Sequence, residues 1–217
     1  LYTKSSSEKR NKELPEKAET GTHTTILKLR MEIGAILDKI YKLPTASKES
    51  IVDATVEVEY PKGYRLLSAD MVERNIYFIK KGIVRAYINS PEGEVTFWFG
   101  KEGDTIVSMQ SYVNSLKGYE NIELLEDCTL YKLNTNALTD LYVKDVNIAN
   151  LGRKFAEQEL LKTEQRFIER LFKPASDRYS ELIKNNPELL QRVQLSYIAS
   201  YLGITQVSLS RIRAKLK

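Results

Sequence analysis

The spacing of apolar residues changes along the chain and divides it into parts. Between Tyr2 and Ile26 almost no large apolar residue occurs, and Lys, Glu, Ser and Thr dominate, so residues 1–25 read as a mobile or weakly helical arm. Ile26, Leu29, Ile33, Ile36, Leu37 and Ile40 then recur at three- and four-residue steps. That period predicts an amphipathic helix ending before Pro44. From Ile51 to Leu133 the pattern shortens to alternating runs divided by turn residues. Residues 55–60 alternate strictly and stop at Pro61-Lys62-Gly63. Residues 75–80 and 83–88 read as two strands joined at Lys80-Lys81-Gly82, where glycine supplies the positive φ of a tight turn. Ser90-Pro91-Glu92-Gly93 predicts a second hairpin turn, leading into a strand over 94–99. Gly103-Asp104 punctuates the next run, and residues 122–133 hold the last one or two strands. Short strands at this spacing predict a sandwich or barrel-like roll.

After Asn134 the period becomes helical. Asp145 or Asn147 is the expected cap of a long helix reaching Phe172, with no Pro and with Gly152 only near its start. Its apolar positions Ile148, Leu151, Phe155, Leu160, Leu161, Phe167, Ile168 and Leu171 exceed what one narrow face needs. One face is therefore expected on its own domain and another on a partner subunit. The seam is not a clean heptad, because the strict continuation from Ile148, Leu151 and Phe155 meets Gln158, Lys162 and Gln165. A single long core helix in a monomer stays open as the alternative. Pro174 marks a hinge, and residues 177–185 form a further helix ended by Asn186-Pro187.

Residues 195–213 hold the strongest local signal. Leu195, Ile198 and Leu202 on one short helix and Leu209 and Ile212 on the next are joined at Gly203, which allows a turn that branched residues resist. Ala199 is small where the two helices must approach closely. This spacing matches a helix-turn-helix, with Ile204 at a further apolar position. Thr205 is the expected N-cap of the second helix, which carries Gln206, Val207, Ser208, Ser210 and Arg211 outward. In the major groove Gln206 suits adenine, Arg211 guanine and Val207 a thymine methyl. Thr205, Ser208 and Arg213 suit phosphate contacts that set register. A plain helical hairpin with a solvated basic face is the bland alternative.

Charge favours the first of these. From Arg192 to Lys217 there are five basic residues and no Asp or Glu, whereas residues 51–145 carry 15 acidic against 10 basic residues. Such asymmetry points to a polyanion, double-stranded DNA, as partner of the C-terminal part only. With 42% apolar and 29% charged residues the chain has the composition of a folded protein. No apolar run approaches the roughly 20 residues that cross a bilayer, and no signal-peptide core is present, so no membrane partner is expected and the cytoplasm is the expected location. The single cysteine, Cys128, permits no intramolecular disulfide, and in its apolar run it reads as a small buried thiol. No Gly-rich phosphate loop, nucleophile motif or metal-ligand cluster occurs, so neither an enzyme nor a bound cofactor or metal is expected.

The order of parts resembles the cyclic-AMP receptor and fumarate-nitrate regulator (Crp/Fnr) superfamily over roughly Ile26 to Lys217. In the roll, the segment from Tyr77 to Tyr87 is similar to the family's strand-turn-strand around a glycine, and Gly103-Asp104-Thr105-Ile106 resembles the lead into its ligand cassette. The resemblance implies an α+β fold: a β-roll effector domain with flanking helices over 26–145, a long dimerising helix over 146–172 and a helix-turn-helix domain over 173–217. It also implies a homodimeric transcription regulator, with RNA polymerase as a further partner. The departures are informative. In cyclic-nucleotide-binding members a Gly-Glu pair binds ribose and an Arg-Ser pair about ten residues later binds the phosphate. Those places fall here near Val107-Ser108 and Tyr119-Glu120. A carboxylate where the phosphate belongs repels it, and the arginine fork is missing. The effector expected at Val107, Ser108, Tyr119 and Glu120 is therefore an unidentified small molecule and not a cyclic nucleotide. The cysteine set of iron–sulfur members is missing, and the only histidine, His23, lies in the arm. The family's β-hairpin wing has no counterpart up to Lys217, so within these residues phosphate contact is expected from Lys215, Lys217 and the arm. Tyr87, Phe97, Trp98, Phe99, Tyr112 and Tyr119 gather in the roll, as a small-molecule pocket, as a face for the long helix, or as plain core. The runner-up function is a ligand sensor or protein-interaction module whose DNA-binding part has degenerated.

Overall fold

The computed structural model describes residues 33–215. The arm expected over 1–25, with His23, and the terminal Lys217 lie outside them. Residues 33–40 are helical (α1), and Pro44 opens α2 (Thr45–Asp53). The strands β1 (Thr55–Tyr60), β2 (Arg65–Leu67), β3 (Asn75–Lys81), β4 (Val84–Ser90), β5 (Gly93–Gly100) and β6 (Thr105–Ile106) follow. A short helix, α3 (Met109–Asn114), precedes β7 (Asn121–Leu124) and β8 (Cys128–Asn134). Helices α4 (Thr135–Lys144), α5 (Val146–Phe172), α6 (Ala175–Asn185), α7 (Leu189–Arg192), α8 (Leu195–Leu202) and α9 (Gln206–Lys215) complete the described chain.

The strands form two four-stranded antiparallel sheets, ordered β1-β8-β3-β6 and β2-β7-β4-β5. This is the roll of the expected α+β fold. Strands β3 and β8 are apolar on both faces because each face is covered. Tyr77, Ile79, Cys128 and Leu130 meet Val84, Ala86, Ile122 and Leu124 in one cluster. Ile76, Phe78, Tyr131 and Leu133 pack on Ile33, Leu37, Ile51, Leu138 and the first turns of α5, at Ile148 and Leu151. A third cluster joins α6 to α9 through Tyr179, Leu182, Ile198, Ala199, Leu202 and Leu209, and it takes in Ile83 and Leu125 from the roll.

The turn at Ser90 to Gly93 forms as predicted, with Ser90 opposite Gly93 in the β4–β5 hairpin. The expectation of a hairpin at Lys80-Lys81-Gly82 is corrected. Gly82 does take φ +114°, but the chain there crosses from one sheet to the other, since β3 pairs with β8 and β6 while β4 pairs with β5 and β7. Alternation is the same for a hairpin and for a crossover, so the pattern alone does not separate them. A Cβ at Gly82 would stand 2.3 Å from Cys128 Sγ, which makes the crossover possible only for glycine. Strand β5 also departs from simple alternation: Ala86 pairs with Trp98 and Tyr87 with Thr96, so Phe97 is the extra residue of a β-bulge. Asp145 caps α5, accepting the Asn147 N–H at 2.8 Å.

Candidate nucleic-acid interface and effector cavity

Helix α8 ends at Gly203, whose φ of +68° turns the chain. The Gly203 N–H donates to Ser200 O and the Ile204 N–H to Ala199 O, both at 3.0 Å, closing the helix end. Thr205 Oγ1 then accepts the Ser208 N–H at 3.1 Å and caps α9. Burial of Leu209 in the cluster with α6 and α8 fixes which side of α9 faces out. Thr205, Gln206, Val207, Ser210 and Arg211 are exposed, while Ser208 and Arg213 are half-buried. Val207 is 61% exposed, an apolar side chain with no core to enter. The outward face holds Arg211 and Lys215 and no carboxylate.

Helix α8 rests on β5, the edge strand of its sheet. Ser200 Oγ accepts the Thr96 N–H at 2.9 Å and donates to Glu94 O at 3.0 Å, so one side chain completes part of the open edge. Beside it the buried Arg85 guanidinium lies 4.2 Å from the Tyr87 ring and 3.7 Å from the Tyr197 ring. It donates to Glu123 at 2.8 Å and to Glu94. A second polar contact joins Arg192 to Glu102 at 2.7 Å and to Glu126. Lys101 reaches Glu188 at 2.5 Å and Asn186 at 2.8 Å. Arg192 thus leaves the set of basic residues available to a polyanion: its charge is spent on the acidic roll. The Arg192 hydrogen bond, outweighing burial, holds the Glu102 carboxyl at about 2, with the Gly82 N–H assisting. None of Arg85, Tyr197 and Ser200 stands out in the sequence, because a contact between distant segments leaves no local period.

A cavity of about 530 Å³ lies between the roll and α5. Val107, Tyr119 and Glu120 line it, as do Phe97, Trp98 and Tyr112. Ser108 does not line it: this buried residue turns its hydroxyl to Ser111 at 3.2 Å. Of the remaining aromatics, Tyr87 faces Arg85 and Phe99 packs on Tyr201 at 5.3 Å. The far wall comes from α5, through Leu151, Phe155 and Leu160, residues that helical periodicity had assigned to packing. The lining arginines, Arg153 and Arg166, also come from α5 and not from the cassette positions. Arg153 is paired with Glu157, and Arg166 donates to Thr163 at 3.0 Å. A second cavity, of about 750 Å³, lies between β5, α5 and α6 and shares Phe97 and Trp98 with the first.

The first turns of α5 are buried at Ile148 and Leu151, but Leu160, Leu161, Phe167, Ile168, Leu171 and Phe172 are exposed, Leu160 to 71% and Phe172 to 79%. At about 100° per residue these six positions share a face about 140° wide. Among the described residues no group of three His, Cys, Asp or Glu side chains could hold a metal ion. No described helix is long and apolar enough to cross a membrane.

The family model for the cyclic nucleotide-binding domain matches residues 57–145, which runs from β1 to the cap of α5. No curated protein matches the chain in sequence. Among solved structures, the c-di-GMP-responsive global regulator CLP of Xanthomonas campestris superposes with a TM-score of 0.65 at 17% identity, over 80% of this chain and 91% of that one. A putative transcriptional regulator of the Crp/Fnr family from Eubacterium rectale gives 0.63 at 19% identity, over 78% and 82%. The catabolite activator protein of Thermus thermophilus gives 0.54 at 17% identity, over 83% and 86%. The roll is thus matched by the cyclic nucleotide-binding domain family, and about four fifths of the chain shares its fold with solved transcription regulators, one of them described as a putative member of the Crp/Fnr family.

Proposed function

We propose that the chain is a sequence-specific, DNA-binding transcription regulator that works as a homodimer and answers to a small molecule held between the roll and α5. The observation that carries this is the outward face of α9: a capped helix whose exposed Gln206, Val207, Ser210 and Arg211 form an acid-free surface beside Lys215. Helices α8 and α9 act as a helix-turn-helix, with α9 in the major groove, Arg211 and Gln206 on base edges, and Thr205, Ser208 and Arg213 on phosphates. The exposed apolar face of α5 pairs with its copy in a second chain. Two α9 helices then address half-sites about 34 Å apart.

Strand β5 links the two ends of this mechanism. Phe97 and Trp98 line the cavity, while Glu94 and Thr96, in the same strand, hold Ser200 of α8. A ligand that moves the bulge at Phe97 shifts the seat of α8 and so the angle of α9. The ligand we propose is not a cyclic nucleotide, since Glu120 stands in the cavity wall and the cassette positions hold no arginine, the two lining arginines coming from α5 instead. The test is selection of genomic DNA fragments by the purified protein. Enrichment of a palindromic site, with preference at one base pair of each half-site lost in Arg211→Ala, is the expected result. Recovery of no common sequence would overturn the proposal.

A further inference from the structure

Helix α5 leaves the roll after its first turns: Ile148 and Leu151 are buried, while the apolar residues from Leu160 to Phe172 are exposed. The far half is tied instead to the C-terminal helices, and the tie centres on one side chain. Arg178, on α6, donates through Nη1 to Lys173 O at 2.6 Å and more weakly to Arg170 O at 3.5 Å. Through Nη2 it donates to Leu202 O at 2.6 Å. Arg170 and Lys173 stand at the end of α5, and Leu202 is the last residue of α8. Carbonyls of a last helical turn have no donor inside their helix and lie at the negative end of its dipole. Arg170 O lacks its helical partner for a further reason, since the residue four positions on is Pro174, which has no N–H. A planar guanidinium answers both carbonyl ends at once, which the point charge of a lysine on its flexible stem does not. Lys173 Nζ adds a bond from the end of α5 to Glu181 of α6, at 2.6 Å. The Arg170 guanidinium lies over the turn at Gly203, where a Cβ would stand 3.3 Å from its Nη2. The other seat of α8, through Ser200 on β5 and Tyr197 on Arg85, is on the roll.

We infer that Arg178 is a positioning residue that sets the separation of the two α9 helices, and with it the spacing between half-sites that the dimer accepts. The tie itself stands on these hydrogen bonds; its effect on spacing rests on the dimeric, DNA-reading function proposed above. In a dimer joined along the far half of α5, the place of each α9 passes from α5 through Arg178 to α8. A half-site moved by one base pair is displaced both along and around the duplex, so a rigid joint rejects it and a loose joint follows it.

The test measures the affinity of the full chain for duplexes carrying one selected half-site, or an inverted pair whose spacing is the selected one or differs by one or two base pairs. The unaltered chain prefers the selected spacing by about tenfold or more. Arg178→Met, similar in reach but without donors, cuts that preference to about threefold or less, while affinity for a single half-site stays within about twofold. Arg178→Lys, which keeps the charge but not the fork, falls between them and serves where Arg178→Met fails to fold. Undiminished spacing preference in both variants, or an equal loss on single half-sites and on pairs, would overturn the inference. A measurement without DNA separates the two claims. Spin labels on Glu164→Cys of α5 and Ala214→Cys of α9, both exposed positions in a chain whose own Cys128 is buried, report the distance between the helices in labelled chains diluted with unlabelled ones. A narrow distance that broadens in Arg178→Met supports the tie, and an unchanged distribution overturns it. Failure of the unaltered chain to select any DNA site, with the distance still broadened in the variant, overturns the regulator and the spacing role and leaves the tie standing.

Discussion

Arg192 and Glu102 hold the roll to the C-terminal helices through charge, and that contact has a pH signature. The Glu102 carboxyl titrates near 2 when folded, against 4.5 for an ordinary glutamate, chiefly because Arg192 donates to it. A carboxyl depressed in this way contributes stability that is complete above about 4.5 and is lost as pH falls from there towards 2. The seat of α7 and α8 on the roll is therefore expected to loosen across that window, and Arg192→Ala to loosen it already at neutral pH. Hydrogen exchange at the Thr96 and Ile198 amides reads both. Cys128 gives the opposite case: burial pushes its thiol up to about 12. It is expected to resist alkylation at pH 8 in the folded chain and to react fully in denaturant, as mass spectrometry would show. Thr205→Ala, which removes the cap of α9, should cost about 1 kcal/mol in denaturant unfolding. At this scale the sequence was legible wherever the chemistry is local. Gly203, Thr205 and the inert Cys128 follow from neighbours in the chain, whereas the partners of Arg192 and Arg85 lie in a different part of the fold.

Helix α5 divides its apolar residues between two tasks. Ile148 and Leu151 are buried against the roll, and the face from Leu160 to Phe172 is left open to solvent. Replacing Leu160 and Leu171 together by Glu puts two charges on that face. The expected outcome is a monomer by sedimentation, with the melting of the roll little changed, because neither residue belongs to a core cluster; an unaltered mass would remove α5 from the proposed interface. The excess of apolar positions over one narrow stripe was readable in advance, and so were the length of the helix and its N-cap to within two candidates, of which Asp145 is the one. The crossing at Gly82 was not, since alternation reports which residues face a core and not which sheet a strand joins. Nor was the cavity wall on α5, because Phe155 and Leu160 carry the same helical period whether they meet a neighbour or a ligand.

Across the whole molecule, one strand connects a cavity to a candidate DNA-reading helix. Strand β5 belongs to the roll, shares cavity walls with α5 through Phe97 and Trp98, and bonds to α8 through Thr96. Part of the cavity lining was legible too: Val107, Tyr119 and Glu120 line it, whereas Ser108 turns aside to Ser111. Ser200→Ala cuts both bonds between α8 and the edge of β5. It is expected to leave DNA affinity intact and to reduce any change in that affinity caused by a cavity ligand, measured by anisotropy with and without ligand. The central claim, that α9 reads DNA, is tested most directly by the affinity of the purified protein for its selected duplex across a salt series. The account predicts that the logarithm of the association constant falls linearly with the logarithm of salt, by about 0.9 per phosphate contacted, and that a scrambled duplex binds far more weakly. Equal affinity for the scrambled duplex, or binding indifferent to salt, would contradict it.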